Sequence, residues 1–357
     1  MREQGPPRRR GPSARVRRRR SFVVLVAISV AATALFLVAR STPQTVTRGR
    51  SSTTTTTNSA TLPSSPPRLL ITTSGVTVPI LGHAATGWKV VTPCGKPVTV
   101  LGGTPLADID VVIDPGHGGR EVGAVANGLV EARLNLQVAR ELQRTLENDG
   151  IHAALTRTGD YRLPIASRAR IINTARPKLF VSVQHNGGPA ASHIGRGTEV
   201  YFQHESKPSR RLAGLVWEEL FTGLKGFTTN WVGASDAGAI YRLGSDGNDF
   251  HGVLRLTANI PGVLSEAAYI SDVSEAALLA TPAFRSAEAA MVARAIKRFM
   301  TTNDPGGGFH EPLVRSMHDA GGGGTMTDCH DPRLSVPSRQ DDSTSGQDHQ
   351  RTTRQVD

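Results

Sequence analysis

An α/β domain on a mostly parallel sheet flanked by helices is the fold that these 357 residues predict, and three observations carry it. Strand-like and helix-like patterns alternate from Asp108 to Met300, as parallel strands joined by helical crossovers do. Leu179 to Val183 is an apolar run suited to a strand covered on both faces. Val111-Val112-Ile113-Asp114 is a second apolar strand, and it stops at the turn Pro115-Gly116-His117-Gly118-Gly119.

The segments before this domain follow from composition. Residues 1–21 are a basic arm: nine arginines stand against Glu3, so eight of the eleven net positive charges sit there. The high charge belongs to the arm and not to the fold, which argues against nucleic acid as a partner. Phe22 to Ala39 has no ionisable residue and is about long enough for one membrane span. The flanking arginines would keep the arm in the cytoplasm and send the rest outside. The expectation is a single-pass cell-membrane protein with an extracytoplasmic catalytic domain, or a secreted one if residues 22–39 are a cleaved signal segment. Residues 40–67, rich in Ser, Thr and Pro, read as a linker. Residues 68–107 hold short β-type segments, Leu69 to Thr72, Val76 to Leu81 and Trp88 to Val91, read either as a small β-module or as hairpins laid on the main domain.

Residues 108–302 are expected to form the single main domain. Strand Val111 to Asp114 is followed by helix Glu131 to Asn148, with Leu134, Val138, Leu142 and Leu146 at helical spacing and Gly150 as the stop. Then come strand Ile151 to Thr156, helix Ile165 to Ala175, strand Leu179 to Val183, strand Gly197 to Phe202 and helix Ser209 to Leu224. An irregular stretch, Thr228 to Phe250, leads to strand Gly262 to Leu264 and to one or two helices over Ser274 to Met300. That stretch is either a substrate loop or lid, or a plain connection, and its Trp231 and Tyr241 either stack on sugars or pack inward. Residues 303–357 lack apolar periodicity and are expected to be a disordered tail, whose His310, His318, His330 and His349 receive no role. Cys94 and Cys329 are the two cysteines; they either pair or remain separate thiols.

Ligands of open α/β sheets bind at the carboxyl ends of the strands. His117, His185 and Glu266 fall just past such ends, and Glu131 opens a helix. Histidines and carboxylates so placed suit a metallohydrolase. A catalytic zinc takes three ligands of these types, keeps a fourth position for water, and brings that water's pKa to about 7. A nearby carboxylate can move the proton, and an apolar setting raises its pKa toward that task.

From Asp108 to Met300 the chain resembles the zinc-dependent N-acetylmuramoyl-L-alanine amidases. The motifs are Ile113-Asp114-Pro115-Gly116-His117-Gly118-Gly119, Glu131-Ala132-Arg133-Leu134-Asn135-Leu136, Thr156-Arg157-Thr158-Gly159-Asp160 with Leu163 and Arg168, Val253-Leu254-Arg255, and Pro261-Gly262-Val263-Leu264-Ser265-Glu266. Tyr269-Ile270-Ser271-Asp272 and Glu275-Ala276-Ala277-Leu278-Leu279 follow. The resemblance implies cleavage between the muramic lactyl group and L-alanine of peptidoglycan, one Zn2+ held by His117, Glu131 and a second histidine, and Glu266 as the catalytic carboxylate. Peptidoglycan or muropeptides would be the partner, with a protein activator left open.

The family's Ser-x-His-x-Asn strand end reads Ser182-Val183-Gln184-His185-Asn186 here. Successive strand residues face opposite ways, so either a bulge re-aims His185 as the third ligand, or Gln184 occupies the position with a neutral amide. The second case connects to a second function: a catalytically silent relative that binds wall fragments or a partner.

Overall fold

Leu69–Ile71 (β1), Thr77–Ala84 (β2), Gly87–Val91 (β3), Pro97–Val100 (β4) and Thr104–Leu106 (β5) make an antiparallel sheet in the order β4-β3-β2-β1-β5. Leu70, Val76, Val78, Val90 and Val100 give it a small core of its own. Leu69 instead joins Ile171 and Ile172 in the larger domain's core. The segment is thus a β-module that also docks. The computed structural model describes residues 65–188, 193–234, 237–311 and 326–335; the expected arm, apolar run and nearly all of the linker lie outside the described residues. Among the described residues no helix is long and apolar enough to cross a membrane.

The larger domain runs Val111–Pro115 (β6), the hairpin Val125–Ala126 (β7) and Leu129–Val130 (β8), Glu131–Asn148 (α1), Ala153–Leu155 (β9), Ile165–Ala175 (α2), Leu179–Asn186 (β10), His193–Ile194 (β11), Glu199–Phe202 (β12), Lys207–Leu224 (α3), Val232–Gly233 (β13), Gly238–Ile240 (β14), Gly252–Arg255 (α4), Gly262–Tyr269 (β15), Val273–Leu279 (α5) and Pro282–Thr301 (α6). Its six-stranded sheet has the order β14-β12-β15-β10-β6-β9. Every ladder is parallel except β12 with β15, so the mostly parallel sheet is present.

Strand alternation divides the side chains between two faces. Ile113, Val181, Val183, Val200 and Val263 face α1, α3 and α6, where Leu142, Leu146, Leu220 and Ile296 are fully buried. Val112, Phe180, Leu264 and Tyr201 face α2 and α4. The ladders set Asp114 beside Ser182, and Glu266 between Gln184 and Glu199.

The tail departs from the expected disorder wherever it is described. Gly- and Asp-rich local sequence carries no period, but tertiary partners order it. Ala239 N–H donates to Gly308 O and His310 N–H to Ala239 O, while the Arg210 guanidinium lies 3.6 Å from the Phe309 ring centroid. Further on, Cys94 and Cys329 form a disulfide with Cα atoms 5.4 Å apart. Asp331 accepts from Cys94 N–H at 2.7 Å and from Thr92 Oγ1 at 2.9 Å, and Leu334 packs against the β-module core.

Candidate active site

The site begins where β6 ends. Asp114 lies buried under the turn, accepting from Thr156 Oγ1 at 2.5 Å, Ser182 Oγ at 3.0 Å and Arg168 Nη1 at 2.7 Å. Arg168 also donates to Pro115 O and His117 O. Arg157, buried by α1, donates to Pro115 O, Gly116 O and Ala132 O; burial, reinforced by the nearby Arg168 charge, lowers its pKa to about 10. Two arginines therefore clamp the backbone that carries His117, which adopts φ +60° in the left-handed region. A Cβ at Gly116 would lie 2.5 Å from Gln184 Cγ, so the close approach of β6 and β10 needs glycine there.

His117 Nε2 reaches to 3.3 Å from Glu131 Oε1. Glu131 also accepts from Ala124 N–H at 2.9 Å and Asn135 Nδ2 at 3.2 Å. Burial pushes its carboxyl up, but the His117 hydrogen bond and charge, with the Ala124 and Asn135 bonds, outweigh it and hold the group below its ordinary range.

Glu266 shares the sheet face of Ser182 and Gln184 and stands in register with Gln184 and Glu199. Its Oε2 is buried without a hydrogen-bond partner. Burial, then the Glu131 and Glu199 charges, push its carboxyl well above the ordinary range, against the opposing pull of Arg242. Tyr201 OH donates to Glu199 Oε2 at 2.6 Å, and Arg242 donates to Tyr201 OH, extending a polar row along this face.

His185, expected as the third ligand, and Gln184, the alternative to it, fall on opposite faces of β10. The register irregularity opposite residues 184–186 puts its extra residue in β15, between Glu266 and Tyr269, so the alternation of β10 is undisturbed. Gln184 therefore shares the face of Ser182 and Glu266, and His185 shares that of Val183. The His185 ring is committed there: Nδ1 is 2.8 Å from Asn135 Oδ1 and Nε2 is 3.2 Å from Glu288 Oε2, both partners buried. Burial alone would lower its pKa, but the Glu288 charge and hydrogen bond raise it beyond its usual value. Its backbone N–H donates directly to Glu131 Oε1 at 3.4 Å, and its ring is tied to the site through Asn135, which also donates to Glu131 and to Gly116 O. Among the described residues no three His, Cys, Asp or Glu side chains converge as metal ligands.

A family model described as N-acetylmuramoyl-L-alanine amidase matches residues 111–298, more than half of the sequence. The chain belongs to this amidase family. AmiA of Salmonella typhimurium, an N-acetylmuramoyl-L-alanine amidase, is 30% identical over 214 residues, covering 52% of this chain and 74% of its own. The Bacillus subtilis protein YqiI is 29% identical over 218 residues, 59% of this chain and 97% of its own. A solved N-acetylmuramoyl-L-alanine amidase from Clostridium difficile 630 overlays with TM-score 0.47 at 24% identity, covering 55% of this chain and 98% of that one.

Within this amidase domain the two candidate sugar-stacking aromatics pack inward. Trp231 lies 6.4 Å from the Phe284 ring and Tyr241 5.7 Å from the Phe202 ring. Of the tail histidines, His310 is held by its backbone and His330 Nδ1 faces Asp328 O, while His318 and His349 fall outside the described residues. Sequence reasoning gave no role to Arg157 or to Asp114, although both stand in quoted motifs. A buried charge at a turn is the signal that identifies them.

Proposed function

We propose that this domain hydrolyses the amide between the lactyl group of N-acetylmuramic acid and L-alanine in peptidoglycan, at the edge where β6, β10 and β15 end. Family membership supports the substrate, and one observation supports the place: His117 and Glu131 meet at 3.3 Å on the edge that also presents an unpartnered Glu266 carboxyl. The raised pKa of Glu266 favours the protonated carboxyl, a form that can donate to the leaving amine nitrogen. The contact of His117 Nε2 with Glu131 selects the tautomer in which Nδ1 accepts, so the imidazole can draw a proton from an attacking water.

Zinc, expected from the resemblance, would find two suitable ligands in His117 and Glu131. The third falls to the neutral amide of Gln184, because His185 is bonded to Asn135 and Glu288. The three-ligand His and carboxylate set is not met, so no step is assigned to the metal and zinc is expected to be held loosely. The same substitution favours a second reading, a silent relative that binds wall fragments. We further place the domain outside the cell membrane, tethered through residues 22–39.

The test incubates the full chain with purified muropeptides, with and without a chelator, beside Glu266→Gln. Stem-peptide release that Glu266→Gln abolishes supports hydrolysis, and its loss with chelator supports zinc dependence. Binding of muropeptides with no release in any arm overturns hydrolysis in favour of the silent relative.

A further inference from the structure

Along α2, from Ala166 to its cap at Arg176, a surface cavity of ≈560 Å³ carries Arg68, Arg170 and Arg176 in its wall. Among the described residues none of these guanidinium groups has an ion-pair partner. Arg170 Nη1 is buried without any hydrogen-bond partner. A charge taken out of water and left unpaired is unfavourable, and two like charges around the same cavity add to it. Arg170 also lines a small void with Thr92 and Pro93, and its guanidinium nitrogens lie beside Gly95. Arg176 caps α2 at φ +51°, a left-handed backbone that glycine or asparagine takes more easily. Asn173 and Thr174, in the same wall, add neutral donors.

We propose that this cavity is an anion site that takes phosphate groups. Guanidinium forks match phosphate oxygens two at a time, and three of them suit a multiply charged group better than a single carboxylate. The cavity has room for more than one phosphate, as on a polymer linked by phosphodiesters. Such a site grips an anionic chain while leaving the strand-end edge open, and it stands whether or not that edge hydrolyses peptidoglycan.

The test titrates the full chain with poly(glycerol phosphate) and separately with inorganic phosphate, at about 0.15 M salt to screen diffuse attraction. Arg170→Gln, Arg170→Lys and the exposed-site variant Arg176→Gln are compared with wild type. The arginine-rich arm is common to all, so the ratio of affinities isolates the cavity. Arg170→Gln and Arg176→Gln should each weaken binding about tenfold, Arg170→Lys less so, with unchanged melting of Arg176→Gln. A loss confined to inorganic phosphate supports the site with the free ion as ligand, and a loss seen with the polymer supports a polymer. Equal affinity for wild type and Arg176→Gln, or no phosphate binding by wild type, overturns it.

Discussion

A single residue step separates Gln184 from His185, and it decides what the active-site edge can bind. Restoring an imidazole on the correct face, Gln184→His, should raise bound zinc toward one equivalent, measured by elemental analysis after dialysis, and should strengthen chelator-sensitive release at least about tenfold. No gain in either would mean that the face assignment of β10 is wrong. His185→Ala should instead act on stability, by about 3 kcal/mol in denaturant unfolding, because it strands the buried Glu288 carboxyl. The double change His185→Leu with Glu288→Leu should recover most of that loss. His251 offers a different titration. Burial, then the Arg242 and Arg255 charges, lower its pKa to about 3, whereas the unfolded chain titrates near 6.5. Between these values the unfolded state binds more protons, so stability falls as pH drops, at most by about 1.4 kcal/mol per unit. Unfolding midpoints of His251→Phe at pH 7 and pH 5 should differ less than those of wild type.

Among the elements, legibility followed periodicity. The helices Glu131–Asn148 and Ile165–Ala175 have the bounds read from apolar spacing and their glycine or proline stops. Strand β14, only Gly238–Ile240, was hidden inside a Gly- and Asp-rich stretch, since three residues cannot display a period. The same limit applies to the site. That His117 and Glu131 lie at element ends was readable, but the direction of His185 depended on which strand holds the extra residue. β15 and β10 differ there only in how they pair, and pairing is a tertiary property. The turn itself is a tight fit between elements. Gly116→Ala should push β6 away from Gln184, with a loss of about 1–3 kcal/mol in unfolding and a larger proportional loss of any hydrolysis. Unchanged stability would show that Gln184 yields easily.

At the scale of the whole molecule, composition marks a charged arm and an apolar run, both outside the described residues, and it failed for the tail. Residues 303–311 and 326–335 take their order from partners distant in sequence, such as Ala239, Arg210 and Cys94, and no local pattern announces that. The Cys94–Cys329 bond closes a loop with a sequence separation of 235. Its loss should release about 4 kcal/mol of constraint on the unfolded chain, lowering the melting temperature by roughly 10 °C. Calorimetry of the oxidised protein, the reduced protein and Cys94→Ser should show the last two alike and below the first. The bond also makes the region between its two ends a covalent ring. A protease that nicks any one peptide bond within that ring leaves both fragments attached, so the domain can survive a first cut intact. Only a second cut, or a reductant, would let a piece drift away.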